Sequence, residues 1–197
     1  DLCLPRPRGR GIARAAIAWS RVGLLALCAG CAGLPELPER PAEHALAPAT
    51  EGPVARVVAP LVAQHPGKTG VVSLGDARDA FATRIALARA ATRSIDIQTF
   101  IWHADATGTL MFEEILRAAE RGVRVRLLLD DVNSVGFDPT LVLLASNPNL
   151  ELRLYNPFVV RGPRAFGFLT DFTRVNHRMH NKSFTVDNLA TVVGGRN

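Results

Sequence analysis

The pattern of hydrophobic and polar positions between residues 71 and 160 changes repeatedly between the periods of strands and of helices. Four segments have the short apolar runs or the two-residue alternation of β-strands: Val71–Leu74, Ser94–Trp102, Val123–Leu129 and Leu150–Tyr155. The second segment places Ile95, Ile97, Thr99 and Ile101 on one face. We therefore expect a sheet with one apolar face built from these segments.

Helical periodicity fills the intervals between these segments. Apolar residues recur every three or four positions at Phe81, Ile85 and Ala88, and again at Met111, Ile115 and Ala118. Asp76 is a suitable N-cap for the first helix, the second begins at Thr107 or Gly108 and ends near Gly122, and a third follows Asp138-Pro139. Strands that alternate with helices predict an α/β fold with a largely parallel, helix-flanked sheet.

The most distinctive polar pattern lies in the segment Arg174–Asn197. Asp187-Asn188 predicts a tight turn between two apolar-rich strands, the second of which is Ala190–Val193. Read as β structure, His180 and Lys182 share a face because they lie two positions apart, whereas Asp187 has the opposite parity. We expect an imidazole beside a fixed cation, with the carboxylate pointing elsewhere.

Small and amide residues follow the second strand of this hairpin. Gly194 and Gly195 carry no side chain, so the backbone there can approach a ligand closely. Asn197 supplies an amide donor at the same end of the hairpin as His180 and Lys182. The full spacing is HxKxxxxDxxxxxxGGxN, which is far more specific than a histidine and a lysine alone.

Charge is distributed unevenly along the chain. The net charge is +5 and the pI about 9.8, but residues 1–30 hold five arginines against one aspartate. Beyond residue 30 the basic and acidic residues nearly cancel, which argues against a broad nucleic-acid-binding surface. Residues 161–197 keep a local excess of six basic over two acidic residues, which suits an anionic substrate.

The composition divides the chain into an export leader (residues 1–31), a Pro/Ala-rich tether (residues 32–70) and a folded domain (residues 71–197). In the leader, arginines precede the apolar run Val22–Gly30. That run is shorter than the roughly 20 apolar residues that span a bilayer, and it has the form of a signal peptide.

Cysteine usage extends this interpretation. Cys31 follows small residues and resembles the lipidated cysteine of bacterial lipoproteins, although Cys28 stands where leucine is usual. An ordinary secretory signal or a short membrane anchor is the alternative. The three cysteines all lie in the leader, so the domain has no disulfide and no thiol nucleophile. We expect an exported protein tethered to a membrane of the bacterial cell envelope and facing the periplasm.

The residues of the hairpin suit phosphoryl transfer, which needs a nucleophile and groups that stabilise the non-bridging oxygens. His180 can attack phosphorus and form a phosphohistidine. Lys182 can hold the oxygens as a point charge, and Asn197 can donate hydrogen bonds to them. This chemistry requires no carboxylate cluster, so the sequence implies no metal and no other cofactor.

The spaced residues resemble the catalytic motif of the phospholipase D superfamily. Three stretches, SIDIQTFIWHADATG, RGVRVRLLLDDVNS and RMHNKSFTVDN, are similar to its bacterial cardiolipin synthase-like branch. The resemblance runs from about Val71 onward and implies a phospholipase D-like fold, a mixed β-sheet flanked by helices. It makes His180 the nucleophile or its acid/base counterpart, Lys182 and Asn197 phosphate-binding residues, and Asp187 a structural residue.

The resemblance also implies a second half of the site. Members of the superfamily build one active site from two such motifs, usually in one chain, whereas this sequence contains one. We expect either the first of two pseudo-repeats, with the second motif in a missing C-terminal repeat, or a single-motif protein that completes its site as a homodimer. The leaving-group acid would then be a histidine outside this sequence.

Other candidate site residues follow the predicted strands, where ligands of α/β sheets bind. Trp102, Asp130 and Asp131 are candidates for lining a substrate pocket. A core aromatic and loop-capping carboxylates are the alternatives for these three positions. His177 has odd parity relative to His180, which argues against a catalytic role.

Together these features predict an enzyme, a phosphodiester hydrolase or phosphatidyltransferase that acts on phospholipids at a membrane surface. Whether water or an alcohol attacks the phosphohistidine stays open, as does the headgroup. One alternative is a nuclease of the same superfamily, but the balanced charge leads us to expect no nucleic-acid partner. The other is an inactive fragment that lacks the second motif.

Overall fold

The computed structural model describes residues 34, 36, 39–134, 136–162 and 165–195. The chain divides into two units, residues 1–39 and residues 40–197, and the helices and strands given below belong to the second. The leader with Cys31, and also Asn197, lie outside the described residues. The lipidation site and the amide donor therefore stay predictions.

The described residues form helices and five strands in alternation. The helices are α1 (Pro53–Gln64), α2 (Ala77–Ala90), α3 (Ala106–Glu120), α4 (Asp138–Ala145), α5 (Ala165–Thr170) and α6 (Phe172–Val175), with a 3-10 turn at Asp131–Asn133. The strands are β1 (Ser94–Thr99), β2 (Arg124–Asp130), β3 (Leu150–Tyr155), β4 (Ser183–Val186) and β5 (Ala190–Val193).

The five strands form one sheet in the order β3-β2-β1-β4-β5. β1, β2 and β3 run parallel, whereas β4 pairs antiparallel with both β1 and β5. The predicted fold, a helix-flanked mixed sheet, is confirmed. The parallel part comes from strands separated by helices, and the antiparallel part comes from the short hairpin, because only a tight turn lets consecutive strands pair directly.

Alternation along the strands decides which face is buried. Ile95 and Ile97 of β1, and Val125, Leu127 and Leu129 of β2, are buried in the core. Their neighbours along each strand lie on the opposite face, as two-residue periodicity requires, and all of them except Leu128 are polar or charged. Met111, Ile115 and Ala118 of α3 pack into the same core, as the helical period predicts.

Several predicted element boundaries are confirmed and two are wrong. Asp76 caps α2 by accepting a hydrogen bond from the Arg78 amide at 2.7 Å. Val71–Leu74 is not a strand, because Val71 and Val72 are exposed and unpaired with the sheet. The strand predicted over Ser94–Trp102 ends at Thr99 instead.

The predicted tether over residues 32–70 needs correction, because part of it is folded onto the domain. Helix α1 begins with Pro53 in its first turn, where the missing amide is harmless, and it buries Val54 and Ala55. Just before it, the Ala49 amide donates to the Asp187 carbonyl at 3.0 Å. Within the described part of the chain, each helix is too short or too polar to span a bilayer.

Candidate active site

Two of the predicted site residues, His180 and Lys182, lie at one edge of the sheet. Ser183, the first residue of β4, pairs with Gln98 near the end of β1 and with Val193 at the end of β5. Because β4 is antiparallel to β1, the start of β4 lies at the edge where β1, β2 and β3 end. His180 and Lys182 therefore lie at the carboxyl edge of the parallel strands, which is where α/β sheets bind ligands.

His180 and Lys182 are in direct contact at this edge. Lys182 Nζ lies 3.1 Å from His180 Nε2 and 3.4 Å from His180 Nδ1. The Phe100 ring supports both side chains, with its centroid 4.7 Å from the imidazole centroid and 5.4 Å from Lys182 Nζ. His180 is exposed and Lys182 is half-buried, so the imidazole is open to a ligand beside a cation whose stem is held by the protein.

The segment that carries His180 has no regular structure and is fixed by side chains from neighbouring elements. The Met179 amide donates to Asp130 Oδ2 at 2.8 Å, and Asn181 Nδ2 donates to Gln98 Oε1 at 2.7 Å. The residues on both sides of His180 are thus anchored to β2 and β1 respectively. This anchoring restricts the conformations that the imidazole can reach.

Asp130 and Asp131 are fully buried and serve the loops around the site. Besides Met179, Asp130 accepts from the Val132 amide at 2.8 Å and from Arg178 Nη1 at 3.0 Å. Asp131 accepts from the Phe158 amide at 2.8 Å and pairs with Arg161. With these oxygens engaged by protein donors, the geometry favours the loop-capping interpretation of the two carboxylates over the pocket interpretation.

Trp102 lies beside a cavity of about 130 Å³ between the end of β1, α2 and the start of α3. Phe81, Met111, Phe184 and Lys182 also line this cavity, while Asp130 and Asp131 are absent from its lining. The indole is nevertheless held in the core: it stacks on Phe112 at 4.2 Å, and its Nε1 donates to the Gly108 carbonyl at 3.0 Å. Trp102 therefore combines the core and pocket placements that the sequence left open.

Asp187 lies at the opposite end of β4 from His180. Its carboxylate is buried and accepts from the amides of Thr92 (3.1 Å), Arg93 (2.7 Å) and Ser94 (3.0 Å), and from the Thr92 hydroxyl at 2.9 Å. These donors lead into β1, so the carboxylate connects the hairpin to the start of the neighbouring strand. Asp187 and Asn188 both have positive φ, of 53° and 52°, as the predicted tight turn requires.

The remaining predicted positions divide into those near the edge and those outside it. Gly194 and Gly195 follow β5 at the site edge, are exposed, and have open space where a Cβ would stand. Asn197 lies outside the described residues. His177 is exposed, and its Nδ1 lies 3.1 Å from the Thr173 carbonyl oxygen, away from the His180–Lys182 pair.

The supporting roles of two residues, Phe100 and Asn156, did not follow from the sequence. Phe100 directly follows β1 and has the same parity as Gln98 on the polar face of that strand, which was the available signal that it does not belong to the core stripe. Asn156 has a positive φ of 47°, and its Nδ2 donates to the His177 carbonyl at 2.8 Å and also bonds to the Arg174 carbonyl. Asn156 thereby connects the end of β3 to the segment before His180, a contact across about 20 residues that no local pattern shows.

Two carboxylates of helix α3 and its cap have lowered pKa values from direct hydrogen bonds. The Gly108 amide and the Thr107 hydroxyl donate to Asp105 at the start of α3 and lower its pKa, so it stays a charged cap beside the cavity. Between α2 and α3, the hydrogen bonds from Arg89 lower the pKa of the buried Glu114 carboxyl. Both groups stabilise the scaffold beneath the site.

Comparison with known proteins gives a consistent result. The chain is 54% identical over 144 residues to Cardiolipin synthase C of Escherichia coli, covering 73% of this chain and 30% of that protein. It is 34% identical over 107 residues to Cardiolipin synthase B of Escherichia coli, covering 54% and 24% respectively. The chain thus spans about 30% of the length of Cardiolipin synthase C.

The chain is also similar to a solved structure and to a family of sequences. NucT from Helicobacter pylori is similar over 61% of this chain and 67% of its own, with a TM-score of 0.43 and 21% identity. The sequence of residues 85–197 matches the family described as "Cardiolipin synthase, PLD-like domain", from the middle of α2 through the hairpin. The match covers more than half of the chain, and the chain therefore belongs to the cardiolipin synthase, phospholipase D-like domain family.

Proposed function

We propose that this chain supplies one half of the active site of an enzyme that cleaves or transfers a phosphodiester of a phospholipid through a phosphohistidine. The observation that carries the proposal is the 3.1 Å contact between Lys182 Nζ and His180 Nε2 at the carboxyl edge of the sheet. An exposed imidazole beside a cation is suited to attack on an anionic phosphate, since the cation offsets the charge that would repel a nucleophile.

In the first step, the lone pair of the His180 imidazole forms a bond to phosphorus. The bond between phosphorus and the leaving alcohol oxygen breaks, and a general acid gives that oxygen its proton. Lys182 stabilises the charge on the non-bridging oxygens, because its ammonium is held close to the attacking ring. In the second step, water or an alcohol attacks phosphorus and releases the histidine, which gives hydrolysis or transfer.

The leaving-group acid has to come from a second half-site. Among the described residues, His177 is the histidine nearest to His180 in sequence, and its ring nitrogen faces the Thr173 carbonyl rather than the Lys182 ammonium. We propose that a further motif, in additional sequence or in a second copy of the chain, places its histidine opposite His180. A relative more than twice as long as this chain leaves room for such a motif.

Phospholipid is the proposed substrate because two relatives, 54% and 34% identical to this chain, are named cardiolipin synthases. The excess of basic over acidic residues in 161–197 agrees with an anionic headgroup. Lipidation at Cys31 would hold the enzyme at its substrate surface in the cell envelope, and this localisation is part of the proposal. Changing Cys31 to Ser should move the protein from the membrane to the soluble fraction of the envelope.

The test uses the purified full-length protein, including any further sequence that supplies the second half-site, and compares it with its His180→Ala variant and with the matched control His177→Ala. The unmodified protein and the control should convert phosphatidylglycerol to cardiolipin or phosphatidic acid, whereas His180→Ala should lose at least 100-fold in turnover, a typical cost of removing a nucleophile. Equal turnover by His180→Ala and the unmodified protein would refute the proposal. Cleavage of DNA by the unmodified protein without lipid turnover would favour the nuclease alternative.

A further inference from the structure

The cavity beside Trp102 shares one wall with the proposed active site. It has a volume of about 130 Å³ and lies between the end of β1, α2 and the start of α3. Lys182 forms part of its lining, and the ammonium of the same residue lies 3.1 Å from His180 Nε2. A substituent of a phosphate bound at the His180–Lys182 pair is therefore within reach of this cavity.

The interior of the cavity is mostly apolar. Thr99 and Arg84 are also part of the lining, but the Thr99 hydroxyl donates to the Ile101 carbonyl at 3.0 Å and Arg84 Nη1 donates to the Ala80 carbonyl at 3.2 Å. An apolar cavity of roughly 150 Å³ can hold a molecule as large as benzene, so this one has room for about six carbon atoms. Six apolar residues contribute to the lining, and each is buried or half-buried: Phe81, Ile97, Ile101, Trp102, Met111 and Phe184.

The exposed part of the lining is polar. It consists of Gln98, His103, Asp105 and Thr107. The cavity thus changes from an apolar interior to a polar rim at the solvent, as pockets for small molecules commonly do. An amphiphilic ligand matches this division, because its apolar carbons can enter the interior while its charged group stays at the rim.

The wall that Trp102 contributes is fixed by the protein itself. The indole stacks on the Phe112 ring with the centroids 4.2 Å apart, and its Nε1 donates to the Gly108 carbonyl at 3.0 Å. A Cβ placed on Gly108 would lie 2.9 Å from that nitrogen, so α3 begins as close to the indole as a glycine allows. Because this wall is already ordered, a ligand loses little binding free energy in ordering it.

The charge of Lys182 is not neutralised by a carboxylate within the part of the chain that the structure describes. Its ammonium contacts both ring nitrogens of His180 and lies 3.3 Å from the His180 carbonyl oxygen. Three arginines of the segment between β3 and β4 are instead paired with aspartates: Arg161, Arg174 and Arg178. A cation of this kind beside an apolar cavity is complementary to a phosphate that carries an apolar group.

We propose that the cavity binds the first carbons of one acyl chain of the phospholipid while the phosphate lies at Lys182. This inference rests on the proposed lipid substrate and adds which part of the lipid the sheet edge recognises. Room for about six carbons restricts the contact to the start of the chain, and the remainder leaves through the solvent-exposed rim.

The first test measures binding to the full-length protein in a His180→Ala background, so that no lipid is turned over. The ligands are dihexanoyl phosphatidic acid below its micelle concentration and glycerol 3-phosphate, which carries the same phosphate without an acyl chain. Phosphatidic acid should bind at least tenfold more tightly, because only its chains can bury apolar surface in the cavity.

Larger side chains in the cavity should remove this preference. Ile101→Trp fills it from the loop after β1, and Phe81→Trp fills it from α2. Each change should reduce the preference to less than threefold and leave the affinity for glycerol 3-phosphate within twofold. The matched control is Leu116→Trp, at a half-buried position of α3 outside the lining, which should keep the full preference.

Several results would overturn the proposal. Equal affinity for the two ligands in the starting protein would show that no acyl chain is recognised. A preference that persists in both filled variants would place the acyl contact elsewhere. Equal weakening of both ligands would show that the cavity holds the phosphate or the glycerol. Thermal unfolding identifies a filled variant that does not fold, and the other variant then decides.

A second test, with His180 intact, separates this inference from the catalytic proposal. Ile101→Trp should raise KM for dihexanoyl phosphatidylglycerol by a larger factor than it lowers kcat, and a change in kcat alone would contradict an acyl-binding cavity. Turnover that depends on His180 without an acyl preference in binding would overturn the cavity assignment alone. An acyl preference in binding without any lipid turnover would count against the catalytic proposal alone.

Discussion

Replacing Asp187 tests whether this residue acts in the structure or in the reaction. Its carboxylate accepts from three consecutive backbone amides and one hydroxyl at the start of β1. His180 and Asp187 lie at opposite ends of β4, whose four residues span about 13 Å at roughly 3.3 Å per residue. A carboxylate at the far end of the strand is too distant from His180, the proposed nucleophile, to touch the same phosphate.

The magnitude follows from the donors that would lose their acceptor. The Ser94 amide is buried, so leaving it unpaired in Asp187→Ala costs about 2 kcal/mol. Thr92 and Arg93 are exposed, so water can partly replace the carboxylate as their hydrogen-bond acceptor. Losing each of these two hydrogen bonds should cost about 0.5 kcal/mol of stability. The sum is about 3 kcal/mol, a large share of the roughly 5–15 kcal/mol that stabilises a domain. Asp187→Asn keeps one oxygen and should lose about 1.5 kcal/mol.

Urea and thermal unfolding measure this loss. Asp187→Ala should lower the melting temperature by about 6–12 °C, at roughly 2–4 °C per kcal/mol for a domain of this size. The same change of carboxylate to amide at the exposed Asp79 should stay within about 0.5 kcal/mol of the unmodified protein. Well below its melting temperature, folded Asp187→Asn should keep kcat within threefold. Unchanged stability together with a 100-fold loss in kcat would refute the structural reasoning.

Three further predictions concern the scaffold. Because folding lowers the pKa of Glu114, its ionised carboxylate stabilises the folded state above its ordinary pKa of about 4.5. This stabilisation is lost as the pH falls through the lowered pKa. On acidification below about 4.5, Glu114→Gln should therefore lose stability less steeply than the unmodified protein. Glu113→Gln, its half-exposed neighbour, should keep the steeper pH profile in the same urea titrations. Gly108→Ala should lower the melting temperature, because a Cβ there would lie 2.0 Å from the His103 carbonyl oxygen. An unchanged melting temperature would contradict that close packing. Asn156→Ala should lower kcat more than it raises KM, because it removes the hydrogen bond to the His177 carbonyl that holds the segment before His180, the proposed nucleophile. A change in KM alone would show a binding role for Asn156 instead.

Much of the fold could be predicted from the sequence where the pattern was local. The alternation at Leu150–Tyr155 gave the bounds of β3 as the structure has them, and the tight turn at Asp187-Asn188 gave the antiparallel hairpin. Helix α1 was missed because Pro53 and Pro60 suggested a tether, although Val54, Ala55 and Val58 pack on the core. Val71–Leu74 was overpredicted because an apolar run indicates a strand only when a neighbouring strand can pair with it.

The candidate site was predictable in its residue types and less so in its contacts. The nearness of His180 and Lys182 followed from their separation of two positions, even though both precede the first residue of β4. The distant partners of Asp130 and Asp131 did not follow, since they lie 27 to 49 residues away in sequence and depend on how three loops fold together. Strand-end carboxylates can line a pocket or hold loops, and composition does not distinguish between the two.

The spacing between His180 and Asp187 now has a physical reason. Asp187 must reach the amides before β1, while His180 must stand at the edge where β1 ends, so the intervening residues span the sheet from one edge to the other. β4 pairs with β1 through Ser183–Gln98 and Val186–Ile95, which leaves no spare residue between the two requirements. Inserting one residue in β4 would reverse the faces of all residues on one side of it. Lys182 would then lose its contact with the His180 imidazole, or Asp187 would lose its hydrogen bonds to the backbone amides before β1. Neither change is compatible with the arrangement in the structure.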